Sequence, residues 1–356
     1  MKIICFWFEK PTFAFEGVLS QAMDLAPDRV ISFCKNEVDG DRGGINSGST
    51  TKYIFCHRKS VLELLKENGI DPNNTIHIVN GFYSFVLNEL CQLKSIFSLK
   101  IICLTEPVSC MSKTPKLEYL YKILKYKKRK KEIAQFINGV IFLGQNGKRL
   151  FKTIGWDFPS TEISYMPKIN TSTANNRRAI DSKGIFLYIG RNNLREKGLD
   201  FIIKWFTKNK SQELIIVGNY GNDSSKIQEI ISRHPNIKRL NSMKMPNLFQ
   251  FLLNENVKCI LTPSFVDGCN VNNYLSIAAG IPCITTYNTN NYEMILKAKS
   301  GFVIKHSYKK FKKAVDNFSH LSDAEISNLS SNALSYSRKR NAKSEAERIF
   351  EFINTI

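Results

Sequence analysis

Short, unbroken apolar runs alternate with amphipathic stretches along almost the whole chain, and this alternation constrains the fold more than any other feature. In the first half the runs are 2–8 (KIICFWF), 29–34 (RVISFC), 53–56 (YIFC), 75–79 (TIHIV), 100–105 (KIICLT) and 139–143 (GVIFL). In the second half 184–190 (GIFLYIG), 213–218 (ELIIVG), 259–263 (CILTP) and 282–286 (PCITT) repeat the pattern. Runs of this kind, without polar alternation, mark strands buried on both faces. Helical periodicity lies between them, for example over 60–69, 116–136, 198–209, 225–233 and 245–254. Strand and helix in alternation predict parallel sheets with helices on both sides. A length of 356 residues suggests two domains. The polar stretch 170–184 (NTSTANNRRAIDSKG) reads as the linker between them. The expected architecture is α/β, with two doubly wound Rossmann-like domains over 1–168 and 180–335. A C-terminal segment, 336–356, ends in an amphipathic helix able to pack back on the first domain.

Charge narrows the partners. The chain has 51 Lys and Arg against 31 Asp and Glu, a formal net charge of +20. That balance favours nucleic acid, an anionic membrane or phosphorylated small molecules. No helix-turn-helix signature, zinc-ligand spacing or RNP-type aromatic motif supports nucleic acid. The nine cysteines include no CxxC pair, and several fall inside strand-like runs, which reads as buried thiols in a reducing compartment. The apolar start MKIICFWFEKP is interrupted by Glu9, Lys10 and Pro11, too early for a signal-peptide core, and no run is long enough to span a bilayer. A cytoplasmic protein, free or peripheral to a membrane, is expected. The loop 36–52 holds Asp39-Gly40-Asp41, but Gly43 and Thr50 stand where a calcium loop needs ligands, so a solvated turn without metal is expected there.

Two stretches carry chemistry. In 188–205 (YIGRNNLREKGLDFIIKW) a strand ends at Gly190, Arg191 follows, then Lys197 and Gly198, and a helix begins. Ligands of open α/β sheets bind outside the carboxyl ends of the strands, where both cations would sit. A guanidinium fork and a compact ammonium can share one diphosphate; equally, loop cations can simply be solvated. In 263–285 (PSFVDGCNVNNYLSIAAGIPCIT) another strand feeds a turn with Asp267 and Gly268 before a second helix. The helix start offers unpaired N–H groups to phosphate. Asp267 would repel phosphate but can accept hydrogen bonds from sugar hydroxyls, or it is a turn-forming helix-entry acid. An acid beside a phosphate-binding helix start points to a ligand that is part sugar and part diphosphate.

Together the two stretches resemble the retaining glycosyltransferases of GT-B fold in the glycogen-synthase-like group. The family's Gly-Arg and Lys-Gly correspond to Gly190-Arg191 and Lys197-Gly198, and its PS-x-x-E-G and A-x-G-x-P-x-I to 263–268 (PSFVDG) and 278–284 (AAGIPCI). Residues 213–221 and 139–155 follow the pattern of the intervening strand and of the segment closing the first domain; the match is sharpest over 184–290. The resemblance implies two domains facing across a cleft, with Asp267, Arg191, Lys197 and Glu106 as catalytic groups. It implies substrate contacts from Gly17, Gly190, Gly218, Met243, Gly268, Cys269, Asn270, Val271 and Asn272, with Gly17 in the loop after the first strand. It implies a nucleotide-diphosphate sugar as donor, UDP first among the bases, no metal, and a saccharide acceptor on a lipid carrier, in assembly of bacterial lipopolysaccharide, O-antigen or capsule. Two positions depart from the pattern: Asp267 replaces a Glu, and Leu275 stands where the family has a second Glu that holds ribose hydroxyls. Asn272 and Asn273 are nearby polar groups at other helical angles. Glu106 stands where many members have a His. A nucleotide-sugar 2-epimerase of the same fold and a non-catalytic nucleotide-sugar-binding subunit are the rival readings.

One more stretch is distinctive. Residues 116–137 (KLEYLYKILKYKKRKKEIAQFI) have Leu117, Leu120, Tyr121 and Leu124 at helical spacing and a cluster of Lys122, Lys125, Lys127, Lys128, Arg129, Lys130 and Lys131. A basic amphipathic helix reads as a contact for an anionic membrane, here the inner face of the cytoplasmic membrane, or as a solvated helix face.

Overall fold

The computed structural model describes residues 2–11, 13–36, 53–106, 115–176, 179–218 and 221–356; Asp39 and Asp41 lie outside them. In chain order the elements are β1 (Ile3–Phe8), α1 (Phe13–Leu25), β2 (Val30–Cys34), β3 (Ile54–Phe55), α2 (Val61–Glu67), β4 (Thr75–Asn80), α3 (Leu87–Leu93), β5 (Lys100–Thr105), α4 (Pro115–Ile133), β6 (Gly139–Leu143), α5 (Gln145–Thr153) and β7 (Ser160–Ile163). There follow β8 (Ile185–Ile189), α6 (Leu199–Phe206), β9 (Leu214–Val217), α7 (Ser224–Ser232), β10 (Ile237–Leu240), α8 (Met245–Asn254), β11 (Val257–Thr262), α9 (Val271–Ala278), β12 (Cys283–Thr286) and α10 (Glu293–Ala298). The last elements are β13 (Gly301–Ile304), α11 (Tyr308–Ser319), α12 (Asp323–Lys339) and α13 (Ala342–Thr355).

The described residues form two compact units. One holds those up to Lys168 together with Ala342–Ile356, and the other holds Ile169–Asn341. Its seven-stranded sheet gives the first unit the order β3-β2-β1-β4-β5-β6-β7; the second has six strands in the order β10-β9-β8-β11-β12-β13. Every paired strand is parallel. Both sheets are thus doubly wound, as the alternation of runs predicts. Strand order reverses between β1 and β4 in one and between β8 and β11 in the other. At such a switch point the two loops leaving adjacent strands part to opposite sides and open a crevice.

Apolar runs form the cores. In the first unit Trp7, Phe33, Leu64, Leu90, Ile101, Phe142 and Phe151 belong to one buried cluster. His77 on β4 is fully buried beside it: the Trp7 indole N–H donates to its Nδ1 at 3.0 Å, and its Nε2 lies 2.9 Å from the Thr75 hydroxyl. Since that hydroxyl donates to the Pro72 carbonyl at 2.7 Å, Nε2 carries the proton and the ring is neutral. Burial pushes the His77 pKa down to about 3. The eight described cysteines are all buried free thiols, as the sequence suggests. Helix α13 packs on α1 and β7 through Ala346, Ile349, Phe352 and Ile353, and its buried Glu345 carboxylate accepts the Ser164 backbone N–H at 2.7 Å.

One expectation about the first unit changes, and the inner face of α4 is settled. Gly17 lies inside α1, not in the loop before it. Its N–H donates to the Met166 carbonyl at 3.0 Å, and a Cβ there would stand 2.5 Å from that oxygen, so this glycine admits a crossing backbone. Helix α4 packs by the face opposite to its leucines: Ile133 is buried in the core, and Ile123 and Tyr126 pack against it. Tyr126 sits edge-on to Phe82 and Phe151, with ring centroids 6.1 and 5.2 Å away.

Candidate functional site

Loops leaving β8 and β11, the pair of strands at the switch point of the second sheet, build the site. The first runs from Gly190 to Lys197, and the second from Pro263 to Asn270. Gly198 lets them meet. It caps α6 with φ 66°, and a Cβ there would lie 2.1 Å from the Pro263 carbonyl oxygen, so no other residue fits without moving one loop. The backbone N–H groups of Phe265 and Val266 donate to the Glu196 carbonyl at 2.9 and 3.4 Å, which locks the loops together.

The charged groups gather on this joint. Lys197 Nζ lies 3.1 Å from Asp267 Oδ2 and 3.5 Å from Glu196 Oε1, with all three side chains under 20% exposed. Arg191 is 49% exposed and pairs with Glu196 at 3.0 Å, while the Tyr188 hydroxyl holds its carbonyl at 2.6 Å. Asp267 Oδ2 also accepts from the Asn270 amide at 3.0 Å and from the Ser264 hydroxyl at 3.4 Å. The structure therefore brings together Arg191, Lys197 and Asp267 as the sequence suggests. It adds Glu196, the acid between both cations, which stands in the sequence between Arg195 and Lys197 with no motif to mark it. With two cations and two carboxylates, the cluster has no net charge of its own.

Helix α9 starts where the turn chemistry places it. Asn270 is its N-cap, its side-chain oxygen accepting the Asn272 N–H at 2.8 Å. Asn272 reaches across to donate to the Ile189 carbonyl at 2.8 Å, tying the helix to the end of β8. Beneath it runs a buried polar ladder. Asn273 accepts from Thr262 at 3.1 Å and donates to Thr289 and Asn291 at 3.1 and 3.0 Å; Asn291 donates to the Asn270 carbonyl at 2.7 Å. These bonds hold the N-terminal turn of α9 in one pose. Cys269 and Val271 flank the cap, and Gly268 adjoins Asp267, which bridges in parallel to Thr289. Neither Asn272 nor Asn273 is free to take the place of an acid at 275. Leu275 is itself 0% exposed, packed into the core.

Other predicted positions lie further out. Gly190 and Gly218 directly follow β8 and β9, and a Cβ on Gly218 would stand 2.2 Å from the Gly190 carbonyl, so the chain just past the two strands touches backbone to backbone. Met243 is half-buried in the loop after β10, on the same edge of the sheet. Glu106 belongs to the first unit: it follows β5, is exposed and accepts the Tyr165 hydroxyl at 2.7 Å. On α4, Arg129 turns inward, with its guanidinium on the Phe82 carbonyl (2.9 Å), Asn88 (2.6 Å) and Glu132 (2.9 Å). Lys130 binds the Gly155 carbonyl, and Lys122 pairs with Glu118 at 2.5 Å. That leaves Lys125, Lys127, Lys128 and Lys131 as the exposed cations. Among the described residues no group of three or more His, Cys, Asp or Glu is placed to hold a metal ion, and no helix is long and apolar enough to cross a membrane.

Two doubly wound parallel sheets, with the charged joint at the switch point of the second, define the GT-B class of fold, and solved structures agree. HepE of Anabaena, crystallised in complex with UDP, superposes with a TM-score of 0.73 at 13% identity, covering 100% of both chains. Sucrose-phosphate synthase from Thermosynechococcus elongatus gives 0.73 at 11% identity over 99% of each chain. WaaG, a glycosyltransferase involved in lipopolysaccharide biosynthesis, gives 0.63 at 14% identity over 98% of each. No curated protein matches the chain in sequence. Residues 171–340 match the family described as Glycosyl transferases group 1, a span that contains the whole charged joint. The second unit is thus similar to the group 1 glycosyltransferases, in a chain of GT-B fold.

Proposed function

We propose that the protein transfers a hexosyl group, with retention, from a nucleotide-diphosphate sugar to a hydroxyl of a saccharide acceptor. The observation that supports this most is the joint itself: Arg191 and Lys197 beside the rigid N-terminus of α9, with Asp267 one residue before Gly268. In the free protein Lys197 is held by Asp267 and Glu196. A diphosphate takes over the lysine and the helix N–H groups, and Asp267, released from the ammonium, accepts hydrogen bonds from sugar hydroxyls. The bond from the anomeric carbon to the diphosphate oxygen then breaks, and one from that carbon to the acceptor oxygen forms on the same face. The acceptor proton passes to the departing diphosphate oxygen. Arg191, Lys197 and the helix start stabilise the charge that grows on that diphosphate.

UDP is the expected nucleotide, since the similar HepE structure contains it. The reaction needs no metal on this reading. The acceptor is a lipid-linked saccharide of bacterial lipopolysaccharide, O-antigen or capsule, met at the inner face of the cytoplasmic membrane; the net charge of +20 and the exposed lysines of α4 support that location. Leu275 favours one second reading, a subunit that binds nucleotide sugar without turning it over, because no polar group stands at that point of α9.

A thermal-shift screen of nucleotide sugars tests the first reading. A donor at 100 times its Kd adds about 2.7 kcal/mol, a rise of roughly 5–10 °C for a unit of this size. Transfer of labelled sugar from the best donor to lipid extract, unchanged by EDTA, completes the test. Binding without transfer or hydrolysis selects the second reading; an absence of binding by every nucleotide sugar removes both.

A further inference from the structure

The outer face of α4 is built in two halves. Leu117, Leu120, Tyr121 and Leu124 are 65%, 55%, 66% and 66% exposed. At about 100° per residue they share roughly a third of the helix circumference, opposite the line of Ile123, Tyr126 and Ile133 that packs on the core. Lys128 and Lys131 continue the leucine line into the second half, and Lys125 and Lys127 flank it. An isolated exposed leucine is ordinary, but four large apolar side chains in one stripe are a surface with a use. The inward cations are fastened to the protein: Arg129 to Phe82, Asn88 and Glu132, and Lys130 to Gly155. The outer lysines make no such ties to the core. Lys125 lies over the Tyr83 ring, itself exposed, at 4.4 Å.

We propose that α4 lies in the plane of an anionic bilayer, with its leucine half inserted among the acyl chains and its lysine half held by acidic headgroups. Charge complementarity selects this occupant. An isologous contact with a second copy sets the lysine row against itself when the helices run parallel and against the leucine stripe when they run antiparallel; the first opposes like charges and the second leaves ammonium groups facing apolar side chains. A purely electrostatic contact leaves the apolar stripe in water, where it gains nothing. Insertion uses both halves and fixes the helix axis parallel to the surface. The proposal deepens the membrane location given above, replacing adsorption by lysines with two-part anchoring. Vesicle binding is measured without donor or acceptor, so its failure is distinguishable from failure of the transfer chemistry.

The reporter is Tyr121→Trp, since Trp7, Trp156 and Trp205 are buried and contribute a constant background. With vesicles of phosphatidylglycerol and phosphatidylcholine, the expected result is a blue shift of the new tryptophan and quenching by brominated acyl chains. Leu120→Ser with Leu124→Ser is expected to weaken vesicle affinity about a hundredfold, at roughly tenfold per leucine. Lys127→Gln with Lys128→Gln and Lys131→Gln weakens it by a similar factor at low salt, at roughly fivefold per lysine. In 0.5 M salt the lysine variant matches the unmodified protein, whereas the leucine variant loses the residual binding. Circular dichroism and the melting temperature confirm that the variants fold, because every substituted side chain points outward. Absence of quenching, or a leucine variant that binds vesicles as well as the parent at every salt concentration, overturns the proposal. So does a concentration-dependent dimer that the leucine substitutions dissolve, or an acidic protein domain that protects the stripe while vesicles do not.

Discussion

Lys197→Ala probes the joint most directly. The ammonium is 17% exposed, 3.1 Å from Asp267 and 3.5 Å from Glu196. In a donor complex its loss removes a charge-assisted hydrogen bond to the diphosphate, about 1.5–3 kcal/mol. It also leaves two carboxylates facing an incoming anion, and at the partly screened dielectric of such a site that repulsion adds about 1 kcal/mol. The total of about 2.5–4 kcal/mol corresponds to a fall in kcat/KM of roughly seventyfold to a thousandfold. Charge on the diphosphate grows as the glycosidic bond breaks, so part of the loss falls on kcat and not only on donor KM. Arg191 is 49% exposed and answers to Glu196 alone, so solvent screening brings Arg191→Ala to about 1–2 kcal/mol, roughly five- to thirtyfold. The double variant is less than additive, because both cations hold one ligand. The assay is initial transfer rate against donor concentration, with calorimetric titration of UDP and a melting curve as the fold control. If both single variants stay folded and keep near-parental UDP affinity and turnover, the diphosphate does not bind at this joint.

Glu196→Gln withdraws the acid that both cations share, and UDP affinity is expected to rise about three- to tenfold by calorimetry; an unchanged or weaker affinity shows that the pairs with Glu196 do not compete with the ligand. Gly198→Ala puts a Cβ 2.1 Å from the Pro263 carbonyl in a left-handed backbone and is expected to destabilise the second unit by about 2–4 kcal/mol, read as a lower melting temperature and weaker UDP binding together. A melting temperature within a degree of the parent means that the loops do not meet there. His77 gives the first unit a pH dependence: its folded pKa of about 3 is below the unfolded value, so the unfolded chain binds the proton first as pH falls. Its contribution is fully present above about pH 6.5 and declines toward pH 3, with a loss of about 2–3 kcal/mol by pH 4.5. Urea unfolding at pH 7 and pH 4.5 measures it, and an equal change in a folded His77→Gln variant assigns the loss to other groups.

The central strands were legible because burial on both faces forces an unbroken apolar run. The edges were not. Strands β7 (STEI), β10 (IKRL) and β13 (GFVI) flank their sheets, are at most partly covered, and have no run long enough to stand out. In the joint, Arg191, Lys197 and Asp267 were readable from their place just after strand runs, and the α9 cap from Asn270. The Asn273–Asn291 ladder was not, since it depends on a contact between residues 18 positions apart. Periodicity located α4 but could not choose its inner face. That choice rests on the rings of Phe82 and Phe151 against Tyr126, backed by Trp156, which only the folded unit assembles.

Helix α13 has a consequence for how the protein is made. It lies against α1 and β7, and the Phe352 ring packs closely on Gly139, the first residue of β6, where a Cβ would stand 2.6 Å from it and the ring would have to shift. Every residue of the second unit from Ile169 to Asn341 leaves the ribosome before α13 does. At about 5–20 residues per second, the first sheet waits roughly ten to forty seconds for its last covering helix. Through that interval Phe352 and the Glu345 carboxylate that accepts the Ser164 N–H are not yet in place. The second unit, whose elements are consecutive, can close its core first. Completion of the two units therefore runs against the order in which they begin: the first to start is the last to have all its residues.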